Sequence, residues 1–150
     1  MAFDITYLKA LLRVAEDMHA EVTATKIQKI FFLLQMEGGK NVGLKFEPYL
    51  FGPYSEELNE TIIELVERGV IEETAEPLVD PFTGLSLGYK RRFKLKERTN
   101  VKVEPEVEKF FAQWVTRDRR EILNYVYRKY PDYTRYSVIR EKVFGVRNGL

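Results

Sequence analysis

"FEPYLFGPYSEELNETIIELVERGVIEE", Phe46 to Glu73, decides the fold. A Gly-Pro turn, one amphipathic segment and an exit through "RGVIEE" into an extended run make the approach to a winged helix. The segment predicts a third helix from about Ser55 to Arg68. Leu58, Ile62, Leu65, Val66 and Gly69 share its inner side, and Glu57, Glu60, Glu64 and Glu67 form a continuous stripe on the other. In a helix-turn-helix protein this helix enters the major groove. Duplex DNA carries a dense array of phosphates, and base edges are read mostly by Arg, Lys, Asn and Gln. Four aligned carboxylates make a poor groove reader. The stripe is either a solvated helix face, favoured by Glu56 and Glu57 at the positive end of the helix dipole, or a docking surface for a basic protein.

Working outward, Asp4 is an N-cap for a first helix reaching to near His19, with Leu8, Leu11, Leu12, Ala15 and Met18 on one face. A second helix opens at "TKIQKIFFLLQM", where Thr25 and Gln28 have the spacing of a capping box. It is apolar around most of its circumference, which predicts a central position, and "EGGKNVG" ends it. "LKFEPYLF" predicts one short strand, placed at an edge by Pro48. After the third helix, "VIEETAE" and "LGYKRRFKLKE" predict a two-stranded wing around the loop "PLVDPFTGLS". Pro105 starts a further helix with Val107, Phe110, Phe111 and Trp114 on its stripe; "REILNYVYRKY" and "SVIREKVF" supply the last helical pieces. The expected fold is α+β and mostly helical: a winged-helix-like three-helix core, a two-stranded wing, an extra short strand between helices 2 and 3, and C-terminal helices. It forms one domain over residues 1–150.

Charge is polarised along the chain. Tyr54–Asp80 has nine acids and one base, Leu85–Lys102 seven bases and one acid, and Arg117–Leu150 nine bases and four acids. On the second wing strand, alternation turns Tyr89, Phe93 and Leu95 inward and Lys90, Arg92, Lys94 and Lys96 outward. Those four cations suit a phosphate backbone, or cross-strand pairing with Glu72 and Glu76. The C-terminal bases from Arg117 to Lys142 are interleaved with Tyr125, Tyr127, Tyr130, Tyr133 and Tyr136. That mixture fits stacking on single-stranded bases, a hydrophobic cap with hydroxyl tips in water, or an interface with a partner or a second copy.

Catalytic chemistry finds little support. There are no cysteines, the sole histidine is His19, and "EGGK" lacks phosphate-loop spacing. Asp17, His19 and Glu21 offer a remote metal possibility; a histidine at a helix C-terminus explains "EDMHAE" better. Pro131-Asp132 before Glu141-Lys142 lacks the spacing of a nuclease centre. Neither a metal nor a cofactor is expected. No apolar run long enough for a membrane span and no secretory signal are evident, so a cytoplasmic location is expected, with no membrane partner.

Two stretches, "TATKIQKIFFLLQ" and "FEPYLFGPYSEEL", together resemble the Panacea family, the SocA-like antitoxin and phage-associated domains with their archaeal and bacterial relatives. The carrying residues are Lys26, Gln28 and Lys29 on a helix, then Phe51, Gly52 and Pro53 in an aromatic-Gly-Pro turn. The likeness covers roughly Thr23 to Ile71, and "LNYVYRKYPDYTRYS" is similar to the tail of the uncharacterised relatives. It implies a non-enzymatic domain that binds another protein, such as a toxin or a protease component. Antitoxin-type members often carry a Ser/Thr-His element near the end, which this chain lacks. Without the resemblance, the two lysines read as exposed residues at a capped helix start, and Gly52-Pro53 as a helix-entry turn. The expectation is a non-catalytic protein-binding module, antitoxin- or adaptor-like, with Glu57, Glu60, Glu64 and Glu67 as its contact residues. The alternative is a DNA-binding regulator working through Lys90, Arg92, Lys94 and Lys96.

Overall fold

The structure is a computed structural model that describes residues 3–136; the last helical piece expected, Ser137–Phe144, lies outside the described residues. Helix α1 spans Ile5–Asp17, with the Asp4 carboxylate accepting the Thr6 N–H at 2.9 Å. Leu8, Leu11, Leu12 and Ala15 are buried as their spacing requires, but Met18 falls just past the helix and is exposed. Helix α2, Ala24–Met36, starts two residues earlier than its sequence suggested, because Thr23 and not Thr25 caps it by accepting the Lys26 N–H. Gln28 takes no part in a capping box; its amide is committed elsewhere. The α2 side chains from Ile27 through Leu34 are all buried, so the helix is central as expected.

Helix α3 spans Glu56–Glu67, capped by Ser55, with Leu58, Ile62 and Leu65 buried. Gly69 is not on its inner face. It is exposed and takes φ 76°, the left-handed turn that lets the chain leave the helix for the wing. The wing is β3 (Ile71–Val79) against β4 (Ser86–Leu95), antiparallel, with Ile71 opposite Leu95 and Glu76 opposite Lys90. β3 runs three residues past "VIEETAE", whereas β4 starts one residue before "LGYKRRFKLKE" and stops two residues short of its end. The Asp80 carboxylate accepts the Phe82 N–H and closes the hairpin tightly. The wing joins the helices where Thr23 bridges Arg92 and the Phe93 N–H donates to the Val22 carbonyl at 2.9 Å.

Between α2 and α3 the chain makes a hairpin, not a single strand: β1 (Glu47–Tyr49) pairs with β2 (Gly52–Tyr54), Pro48 opposite Pro53. Gln35 stitches the preceding turn to α2, accepting the Val42 and Leu44 N–H groups and donating to the Leu44 carbonyl. Helices α4 (Pro105–Val115) and α5 (Arg119–Lys129) and a 3-10 turn, Pro131–Thr134, complete the described chain. Phe111, Trp114, Ile122, Val126 and Tyr127 lie in the same hydrophobic cluster as Leu11 and Phe31. The C-terminal helices are thus built into the core. Among the described residues no helix is long and apolar enough to cross a membrane.

Candidate functional site

The two halves of the sequence motif meet as one polar clamp inside the protein. The Gln28 side chain donates to the Ser55 carbonyl at 2.9 Å and accepts the Ser55 N–H at 2.8 Å. From the next residue, the Lys29 ammonium donates to the Pro53 carbonyl at 2.9 Å. Lys26 donates to the carbonyls of Glu21 and Val115, both at 2.7 Å, tying the start of α2 to the end of α4. Lys26 and Lys29 are therefore buried, not the exposed pair expected of a capped helix start. Burial disfavours their charged forms. It lowers the Lys26 pKa, and with Arg119 nearby brings Lys29 down to about 7.

Gly52 has its own reason to be glycine. It takes φ 92°, and a β-carbon there would stand 2.9 Å from the ring of the fully buried Tyr127. Phe51, beside it, is half exposed. The motif thus locks the β1–β2 hairpin and the entry of α3 onto α2 and α5, and so sets where the α3 surface stands.

On α3, Glu57, Glu60, Glu64 and Glu67 all point to solvent. Glu57 accepts the Phe3 N–H, and Glu64 makes a loose ion pair with Arg68 at 3.4 Å. Glu60 and Glu67 have no ion-pair or hydrogen-bond partner among the described residues. Ile63, half exposed, lies between them.

The wing cations are differently placed. Lys90 and Arg92 both reach Glu21, at 2.9 and 2.5 Å; Arg92 also meets Glu76, and Lys94 pairs with Glu72 at 3.4 Å. Only Lys96 of the four has no acidic partner among the described residues. On the inner face Arg91 holds Glu73 at 2.8 Å, and this hydrogen bond lowers the Glu73 pKa. The cross-strand pairing foreseen for Glu72 and Glu76 is present; Glu21 is an addition. Nothing in the sequence near Glu21 signals it, because the contact spans about 70 residues and depends on the wing folding back. Glu21 and Asp17, the carboxylates flanking His19, are held by Lys90 and Arg92 and by Arg98 respectively.

Tyr89 is not turned into the core with Phe93 and Leu95: it is 67% exposed, because the wing projects past the helices at that point. The wing's outer half carries several exposed apolar side chains, Leu78, Val79, Leu85 and Leu87, with Phe82 at 96%. Much of this stretch is strand where its composition predicts loop. Of the tyrosines in this part of the chain, Tyr125, Tyr130 and Tyr133 cap the core, and Tyr127 is fully buried in it. Tyr130 and Tyr133 set their rings edge-on to Phe32, and the hydroxyls of Tyr125 and Tyr130 donate to Glu37. Burial works to raise the Glu37 pKa, but hydrogen bonds from Lys129 and these two hydroxyls hold it below the usual carboxylate range. Tyr136 alone of the set is largely exposed.

Compared with protein-family models, with curated proteins and with solved structures, the chain matches none.

Proposed function

We propose that this protein is a non-catalytic, cytoplasmic interaction module of the antitoxin or adaptor kind implied by its Panacea-like motifs. It uses a winged-helix scaffold to bind a basic protein partner, of toxin or protease-component type, through α3. One contrast carries the reading. The helix in the groove-reading position turns carboxylates outward around exposed Ile63, two of them unpartnered among the described residues, whereas Lys90, Arg92 and Lys94 are held by acids of the same chain. A DNA-binding wing would first have to break those ion pairs, and the acidic helix would then meet phosphates.

Purification of the tagged protein from its own cells tests this, comparing wild type with the Glu57→Lys/Glu60→Lys/Glu64→Lys/Glu67→Lys variant. A basic partner recovered by the first and lost by the second is the expected result. A partner captured equally by both would remove α3 from the function. In parallel, anisotropy of labelled duplex DNA at physiological salt should show nothing tighter than ordinary non-specific binding, on the order of 10⁻⁴ M. Tight, salt-sensitive binding abolished by reversing Lys90, Arg92, Lys94 and Lys96 would replace the protein-binding reading with the DNA-binding one.

A further inference from the structure

Antiparallel pairing leaves alternate residues of each wing strand with their backbone groups turned away from the partner strand. On β4 these are the odd-numbered residues: the Phe93 N–H points away from β3, to the Val22 carbonyl, while the Lys96 N–H points the other way, to Val70. Tyr89 and Arg91 follow Phe93, opposite Pro77 and Ala75. Beyond the bridge at Thr23 and Arg92, the outward N–H of Arg91 and the outward N–H and C=O of Tyr89 have no backbone partner among the described residues. The other edge of the wing is guarded. By the same alternation Pro77 turns its nitrogen outward from β3, where a strand would need a donor and proline has none. One edge is closed to strand addition and the other is open.

The open edge borders a cleft of about 790 Å³ between the wing, the α1–α2 connection and the α4–α5 corner. Phe51, Leu78 and Tyr89, all substantially exposed, supply apolar wall. The charged lining is six bases against two acids, Glu21 and Asp118. Glu21 is already engaged by Lys90 and Arg92, and the Asp118 carboxylate caps α5. Of the lining bases, Arg119 and Arg120 are exposed and have no ion pair among the described residues.

We infer that this cleft binds an extended acidic peptide segment of a partner protein, which adds as a strand to the β4 edge at Tyr89–Arg91 and turns carboxylates toward Arg119 and Arg120. Main-chain hydrogen bonds give a strand-adding peptide its grip, and alternate side chains give selectivity. Apolar side chains of the peptide meet Phe51, Leu78 and Tyr89. A nucleic acid would satisfy the arginines but has no use for a row of strand-spaced amide and carbonyl groups. The inference goes beyond the α3 reading: it concerns the opposite charge, a different surface and a separate ligand.

The test uses the whole protein and a fluorescein-labelled decapeptide of alternating glutamate and valine, with the lysine–valine peptide as control. Anisotropy should give a Kd on the order of 10 μM for the acidic peptide and no binding of the basic one at this site. Tyr89→Pro removes the outward N–H without touching a β3–β4 hydrogen bond, as Pro77 does across the ladder, and should weaken binding at least about tenfold. Arg119→Glu/Arg120→Glu places acids in the first turn of α5, where the helix dipole favours them, and should weaken it about as much. Circular dichroism and thermal melting check that both variants fold, and the second stands if the first does not. The α3 Glu→Lys variant should bind the acidic peptide at wild-type strength, so failure here and failure of the α3 reading are seen separately. Absence of peptide binding at low salt, or equal binding by Arg119→Glu/Arg120→Glu, overturns the inference. So does tighter binding of labelled single-stranded DNA at the same arginines, or a solution dimer dissociated by Tyr89→Pro, which would make a second copy the occupant.

Discussion

Helices α2 and α3 are both marked by charged and amide side chains, and they put them to opposite uses. In α2, Lys26, Gln28 and Lys29 point inward, and each ends on backbone groups of the hairpin or of a helix terminus. In α3, four glutamates point outward and two meet nothing among the described residues. The first arrangement can be changed only at the cost of the fold, since a buried donor or acceptor left alone forfeits its full desolvation penalty. The second can be changed almost freely as far as stability goes, since exposed charges contribute little to it. Short polar motifs therefore need their partners located before a function is assigned to them. Here the motif carrying the family resemblance holds the scaffold, and the face carrying the proposed function has no motif.

That contrast can be broken from the α2 side first. Gly52→Ala must adopt a left-handed conformation and also push on Tyr127, so a loss of about 3 kcal/mol is expected in chemical denaturation. A loss below about 1 kcal/mol would mean that the hairpin is not held against α5. Gln28→Leu should cost about 2 kcal/mol by stranding the buried Ser55 N–H, while the Ser55 carbonyl keeps the Asn59 N–H, seen as a lower melting temperature with little change in fold.

Lys29 sharpens the comparison through pH. Its folded pKa, about 7, lies below the unfolded value, so between those two values the unfolded chain binds more protons than the folded one. Stability should therefore rise with pH across that window, by about 2 kcal/mol from pH about 7 to pH about 9, and level off on the acid side. In Lys29→Met most of this slope should vanish, leaving what buried Lys26 contributes; if the variant keeps all of it, Lys29 is not its source.

Changes on α3 test the other half. Replacing all four glutamates with lysine should shift stability by no more than about 1 kcal/mol while removing partner capture. Smallest of all, Glu21→Gln releases Lys90, with Arg92 still held by Glu76, and should raise non-specific DNA affinity only a few-fold at low salt. A large rise would show that Glu21 is what keeps the wing off nucleic acid.

Local patterns were enough for much of this molecule. The Asp4 cap, the apolar α2, the α3 stripe, the wing pairing of Glu72 with Lys94 and Pro105 at a helix start all follow from interactions within a few residues or between adjacent strands. These features depend on periodicity, capping chemistry and alternation, which a single stretch of chain contains. Where the reading failed, the competing interaction came from far along the chain. Gln28 left its capping box for Ser55, Tyr89 escaped the core because the wing outruns the helices, and the supposed loop at Pro77–Val79 became strand because the proline faces a free edge.

By itself the sequence determined the fold class, the charge polarity of the chain and the acidic outer face of α3, since each depends on residue type and spacing alone. Only the tertiary structure decided which charges are free. Lys26 and Lys29 are buried because the hairpin and α4 close over them, and Lys90 and Arg92 are occupied because Glu21 lies beside them. The open β4 edge, too, exists only because the bridge at Thr23 stops short of Tyr89. Whether a charge is free is a property of its neighbours in space, and residues some 70 positions apart become neighbours only when the chain has folded.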